Sequence, residues 1–250
     1  MIATLVTILT ILAAILTILA GVYTIYFGIQ KTGTKVKAAF SVVAEKSYEP
    51  RISNVVLQNK KDLPVCIYKV LAIFDDKTYL ELKKFDNPLV LKPYEALTVI
   101  TDPYSRLKLD NDIHEPSFFS SDIKIAIELL DNVYVCESKK YKGSPLKDLK
   151  EIGKSVSSFN GIVYNDHIKY ILVYEINGLS KTAFFHPSGV ISQEWNLSYN
   201  AIGVKNRELN DNDISLFLQK YYSEIIKSYE IHLVDKNSLT TTFVKRHIAS

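Results

Sequence analysis

The amino-acid sequence predicts a membrane-anchored, mainly-β protein: one N-terminal transmembrane helix, then a β-sandwich-like domain and a small α+β unit. Three observations lead there. Residues 2–29 contain neither a charge nor a proline. A series of short β-type runs follows, divided by turns rich in Asp, Asn and Pro. After a lysine-rich stretch the pattern changes to one that includes an amphipathic helix. The implied divisions are a helix at 1–30, a juxtamembrane connector at 31–37, a β-sandwich-like domain at 38–140, a basic linker at 141–156 and an α+β domain at 157–250.

A helix over the uncharged run is about 40 Å long, enough to cross a ~30 Å hydrocarbon core. No basic segment precedes it, and it is roughly twice as long as the apolar region of a signal peptide, which favours a spanning helix over a cleaved leader. Tyr23, Tyr26 and Phe27 cluster at its end, as aromatic residues do at a membrane interface. Lys31, Lys35 and Lys37 follow directly, whereas only the terminal amine precedes the run. The positive-inside rule therefore expects the N-terminus outside an inner (cytoplasmic) membrane and the rest of this single-pass chain in the cytoplasm.

Within this helix Ala3, Thr7, Thr10, Ala14, Thr17, Gly21, Thr24 and Gly28 alternate at spacings of four and three. That averages 3.5 residues per turn, which keeps one seam facing a neighbouring helix. Thr4, Ala13 and Ala20 are the other small residues of the span. In lipid, helices associate by close backbone approach and van der Waals contact rather than by hydrophobicity, and small residues permit that approach. With one spanning segment, the partner is another copy of the chain or another membrane protein, and a homo-oligomer is the favoured reading over chance composition. Periodicity leaves open whether the threonines bond across a dry seam or line a polar lumen.

Strand-like runs follow: KAAFSVVA, ISNVVLQN, VCIYKVLAIF, TYLELKKF, LVL, ALTVIT, DIKIAIELL and VYVCES. The clearest alternation sets Ile123, Ile125, Ile127 and Leu129 against Lys124, Ala126 and Glu128, the pattern of a half-buried strand. NKKDLP, DDK, DNP, KPYE and TDPYS supply the turns. Six to eight such strands without a helix between them predict a β-sandwich. Beyond the linker, Asn177-Gly178 predicts a type I′ hairpin. Residues 211–228 predict an amphipathic helix with Ile214, Phe217, Leu218, Tyr221 and Ile225 on one face and an Asn or Asp cap in NDND.

The chemistry-bearing residues form no recognised catalytic pattern. Nucleophile elbows, zincin helices, phosphate loops and paired-cysteine spacings do not occur in the sequence. Cys66 and Cys136 stand 70 apart in strand contexts and read as two small buried side chains. Asp166-His167 reads as a loop tip, and HPSG around His186 as a turn rather than a Ser188–His186 pair. No catalytic residue, metal or cofactor is expected, and an enzyme is disfavoured. A net charge of +3, with Tyr141 the single aromatic among Lys139, Lys140, Lys142, Lys147, Lys150 and Lys154, makes nucleic acid an unlikely partner. Solvated linker lysines are the plainer reading. Contact of Lys139, Lys140 and Lys142, with Lys31, Lys35 and Lys37, to the anionic inner leaflet is the functional one.

The stretch ISNVVLQNKKDLPVCIYKVLAIFDDKTYLELKKFDNPLVLKPYEA (52–96), with Asn59-Lys60-Lys61-Asp62 and NPLVLKPYE (87–95), resembles a recurrent pattern in bacterial single-pass membrane proteins that carry a cytoplasmic β-rich domain. The resemblance implies bacterial origin and an accessory role, as in antiviral (phage) defence, and transfers no catalytic residue. The expected function is a non-enzymatic, membrane-anchored oligomer presenting a cytoplasmic region that binds a protein or small ligand. The alternative is a membrane-disrupting or pore-forming effector triggered through that region.

Overall fold

The computed structural model describes residues 2–45, 48–75, 77–110, 112–119, 123–136 and 146–248. In chain order these residues form α1 (Ile2–Gln30), β1 (Val36–Glu45), β2 (Tyr48–Asn59), β3 (Val65–Ile73), β4 (Thr78–Leu91), β5 (Ala96–Ile100), β6 (Arg106–Leu109), β7 (Asp112–Ile113), β8 (Lys124–Glu128) and β9 (Val133–Val135). Then come β10 (Lys150–Ser155), β11 (Ser157–Phe159), β12 (Ile162–Tyr164), β13 (Tyr170–Ile176), β14 (Leu179–Phe185), β15 (Ile191–Gln193), α2 (Asp211–Tyr222), β16 (Ser228–Val234) and β17 (Thr241–Ile248). One apolar helix long enough to cross a membrane thus precedes a mostly-β body that holds one further small helix.

The chain divides into two compact units. Unit one comprises Met1–Ser41, Ile52–Asp102 and Phe119–Glu151; unit two comprises Val42–Arg51, Pro103–Phe118 and Ile152–Ser250. Composition placed the division at a linker of residues 141–156, whereas residues 42–51 and 103–118 cluster with the C-terminal residues. Part of that linker, 150–155, is β10. Only Ile152 in β10 is buried, so the strand lacks the apolar alternation that a sequence reading depends on. The short strands β6 and β7 escaped the reading for a similar reason, since Leu107 is their single buried residue.

In unit one, β3 is flanked by β4 and β8 in antiparallel register, and β8 by β9. Ile125, Ala126 and Ile127 are all buried, because Leu71, Val135 and Leu146 cover the face of β8 that carries Ala126. β4 absorbs two runs expected to be separate strands. Its pairing jumps from Lys84 opposite Lys69 to Leu89 opposite Ile67, so exposed Asp86, Asn87 and Pro88 bulge out where proline's missing N–H leaves no ladder bond unmade. Cys136 is buried and Cys66 is exposed, because alternation turns Val65 and Ile67 inward; neither forms a disulfide.

Unit two is organised by the antiparallel sheet β15-β14-β13-β16-β17 with α2 packed on it. Asn177 and Gly178 both have positive φ, 52° and 74°, as the type I′ hairpin between β13 and β14 requires. Asn210 caps α2 in a capping box with Asp213, at 2.9 Å in each direction. The helix stops at Tyr222, short of residue 228, because the chain enters β16 at Ser228. Its buried face ends in Tyr222 rather than Tyr221, and Ile226 rather than Ile225 is buried beyond it. Trp195 sits at the centre of this core, with ring centroids of Tyr174, Phe185, Phe217 and Tyr222 at 5.4–6.2 Å and its Nε1–H donating to Tyr199 O at 2.6 Å.

The HPSG turn joins β14 to β15. Gly189 has φ +87°, and a Cβ there would lie 2.0 Å from the carbonyl oxygen of Ile202. A Cβ at Gly203 would meet nothing within 4 Å. Gly189→Ala is therefore expected to destabilise unit two by about 3 kcal/mol, and Gly203→Ala by well under 1 kcal/mol. Thermal melts of the two variants, followed by Trp195 fluorescence, check the difference.

Candidate functional site

The seam residues of α1 lie within about a third of the helix circumference. Thr7, Thr10, Ala14, Thr17, Gly21, Thr24 and Gly28 are all exposed, and Ala3 lies where only the backbone is described. Thr17 Oγ1 donates to Ala13 O and Thr24 Oγ1 to Ala20 O, each at 2.8 Å, and Thr10 Oγ1 to Thr7 O at 3.3 Å. These donors are spent inside the helix. The seam is thus a shallow, weakly polar groove whose floor is deepest at Gly21 and Gly28, where a Cβ would meet no atom within 4 Å. The Tyr23 and Phe27 rings pack 4.4 Å apart near the same end of the helix.

The end of α1 is capped from outside the helix. Its last turn has no basic residue of its own, and its terminal carbonyls need donors. Lys31 N–H donates to Phe27 O at 3.1 Å and Thr32 N–H to Ile29 O at 3.5 Å. Lys61 Nζ also donates to Ile29 O, placing a cation at the negative end of the helix dipole. Lys61 is held there by Asn59, which is fully buried. Asn59 Nδ2 donates to Leu63 O (2.7 Å) and Lys92 O (3.1 Å), while Oδ1 accepts from Lys61 N–H at 2.9 Å. The Asn-Lys-Lys-Asp group is more than a polar turn: it is a rigid turn against the helix end. Lys31, Lys35 and Lys37 are exposed nearby in the chain; Lys139, Lys140 and Lys142 lie outside the described residues.

In unit two the Asp166-His167 loop tip joins residues far off in sequence. Arg106 reaches Asp166 Oδ2 at 3.3 Å and donates to the carbonyls of Lys236 and Asn237. Fully buried Asn165 donates to Glu49 at 3.3 Å and accepts from His167 N–H at 3.2 Å. Ligand atoms of Glu49, Asp166 and His167 all lie within 4.8 Å of one another, the one such trio among the described residues. They are near enough to share a divalent cation, but the Arg106 guanidinium already neutralises Asp166. Burial pushes the Glu49 carboxyl above its ordinary range. The nearby His167 and the Asn165 hydrogen bond pull it down, and Asp166 and Glu115 raise it further. Sequence reading found Asp166 and His167 but not Glu49, Arg106 or Asn165, which no local pattern connects to them. His186 is buried with its ring Nε2 3.5 Å from Ser192 Oγ, while Ser188 is exposed on the turn.

The chain matches no protein-family model, and no curated protein or solved structure is significantly similar to it.

Because the folded state raises the Glu49 pKa, the stability it contributes is complete below the ordinary value of 4.5 and is lost as pH rises through the folded value. Glu49→Gln keeps an oxygen for Asn165 and removes the buried charge. The variant is expected to melt higher than the parent near pH 7 and to match it near pH 4. Paired thermal melts at the two pH values check this.

Proposed function

We propose that α1 holds this chain in a membrane and joins it to further copies along the small-residue seam. The β-rich body, sandwich-like in unit one, is then presented on the cytoplasmic side as a non-enzymatic region that binds a protein or small ligand. One observation carries the reading: over Thr7–Ile29 no part of the helix is buried by the rest of the chain. Eleven aliphatic side chains between Ile8 and Ile29 are about half or more exposed. At roughly 1 kcal/mol each for that degree of exposure, leaving them in water costs on the order of 10 kcal/mol, comparable to the whole net stability of a domain. Lipid removes that cost.

The seam supplies the self-association, and its geometry says which atoms matter. With the Thr10, Thr17 and Thr24 donors bonded inside the helix, close packing at Gly21 and Gly28 outweighs interhelical hydrogen bonds, which average about 0.6 kcal/mol in lipid. Because a Cβ at Gly21 meets nothing in its own chain, any effect of bulk there arises from a neighbouring molecule. Gly21→Leu is expected to weaken the oligomer by tenfold or more, about 1.4 kcal/mol. Thr17→Val and the off-seam Ile18→Leu should leave it near normal. Detergent-solution mass measurement over a dilution series reads the result, and a Gly21→Leu protein with its oligomer intact contradicts the seam.

Lys31, Lys35 and Lys37 support the orientation. A C-terminal reporter active only in the cytoplasm is expected to be active on the full chain, and one active only outside it to be silent. The reverse pattern overturns the cytoplasmic placement of the body.

A further inference from the structure

At the end of α1, unit one gathers cations from segments separated in the sequence. Lys31 and Lys35 belong to the connector. Lys60 and Lys61 come from the turn after β2, where Lys60 N–H donates to Lys35 O at 2.8 Å and Lys61 Nζ donates to Ile29 O. A shallow groove lined by Thr34, Pro64, Cys66 and the Leu129–Asn132 turn places the β8–β9 turn at this same end. Two large apolar side chains stand out there: Leu63 is 43% exposed and Leu130 is 76% exposed. Asp62 and Asp131 are the acids of these turns, so the cations exceed them.

We propose that the connector and these two turns form a docking face for an anionic phospholipid surface, with the lysines on headgroup phosphates and Leu63 and Leu130 in the acyl boundary. The proposal rests on α1 spanning a membrane, as read above. Three features favour lipid as the occupant. The helix carbonyl that Lys61 caps is the terminus of the apolar span itself, which puts the Lys61 ammonium at headgroup level, with Lys31 two residues beyond that carbonyl and Lys60 and Lys35 joined through their backbones beside it. Cations with interspersed exposed leucines match a surface that is anionic outside and apolar beneath. The buried Asn59 holds the turn rigid, so Lys60 and Lys61 are presented without ordering a loop. Unit one is thereby seated against the bilayer rather than tethered to it by a loose connector.

The full chain carrying Leu130→Cys and Cys66→Ser is labelled with an environment-sensitive thiol dye, Cys136 being buried. It is reconstituted into phosphatidylcholine vesicles, or into the same lipid with phosphatidylglycerol at about 3:1. Emission is expected to rise at least about twofold in the anionic vesicles and to fall back in about 0.5 M salt. Lys60→Gln with Lys61→Gln should abolish most of the rise. Lys61→Arg, which keeps the charge and the donor to Ile29, should retain it, and Lys227→Gln, in unit two, should not alter it. Equal emission in both vesicle types, or a rise that survives the double Gln substitution, overturns the docking face while the membrane anchor stands. Recovery of the chain in an alkaline wash of the vesicles overturns the anchor reading itself, and the proposal with it.

Discussion

A helix without a charge from residue 2 to 29, whose described side chains are all exposed, has to be surrounded by something other than water. That constraint governs the rest of unit one. The helix end must emerge next to folded protein, its carbonyls must find donors, and a cation is favoured there. The turn after β2 meets all three demands at once. Asn59, buried and bonded to the carbonyls of Leu63 and Lys92, fixes the turn from which Lys61 reaches Ile29. Lys60 binds the connector through its backbone. Helix and β-body are thus joined by a polar lock of a few residues.

Unit two is built on a different economy. Its core centres on Trp195, where aromatic rings from β13, β14 and α2 meet edge-on or tilted. The polar groups at its margin draw together distant chain segments. Arg106 spans from β6 to Asp166 and to the turn at Lys236–Asn237, and Asn165 holds Glu49. An ionised Glu49 in that corner is only partly compensated, because Arg106 is committed elsewhere and His167 is mostly exposed. The arrangement couples charges from segments far apart in the sequence.

Elements governed by local chemistry were legible in the sequence. The apolar span, the Asn177-Gly178 hairpin, the Asn210 cap and the strongly alternating strands each follow from residues a few positions apart. Elements governed by distant partners were not. β6, β7 and β10 carry one buried side chain or none apiece and exist because neighbouring strands complete their ladders. Pro88 looked like a strand end, yet the chain accommodates it in a bulge. Tyr221 and Ile225 fit a helical face on paper, but the demand for β16 at Ser228 ends the helix and turns Tyr222 and Ile226 inward instead. The seam was fully visible as a spacing, while the satisfaction of the Thr10, Thr17 and Thr24 donors within the helix needed coordinates. The Asn59–Asp62 turn was visible as a motif, and its role as a helix cap required the fold that brings residue 61 to residue 29.

The central claim is that α1 lies across a bilayer, and the most direct measurement is thiol accessibility along it in native membranes. Single cysteines at Leu9, Leu12, Leu16, Leu19 and Thr32, in a Cys66→Ser, Cys136→Ala background, are exposed to a membrane-impermeant maleimide before and after the membranes are dissolved in denaturant. The account predicts no labelling at Leu9, Leu12, Leu16 and Leu19 until the membrane is removed, and labelling at Thr32 once the cytoplasmic side is opened. Labelling at Leu12 or Leu16 in intact membranes, or a mature chain from which these residues have been cleaved, would contradict it.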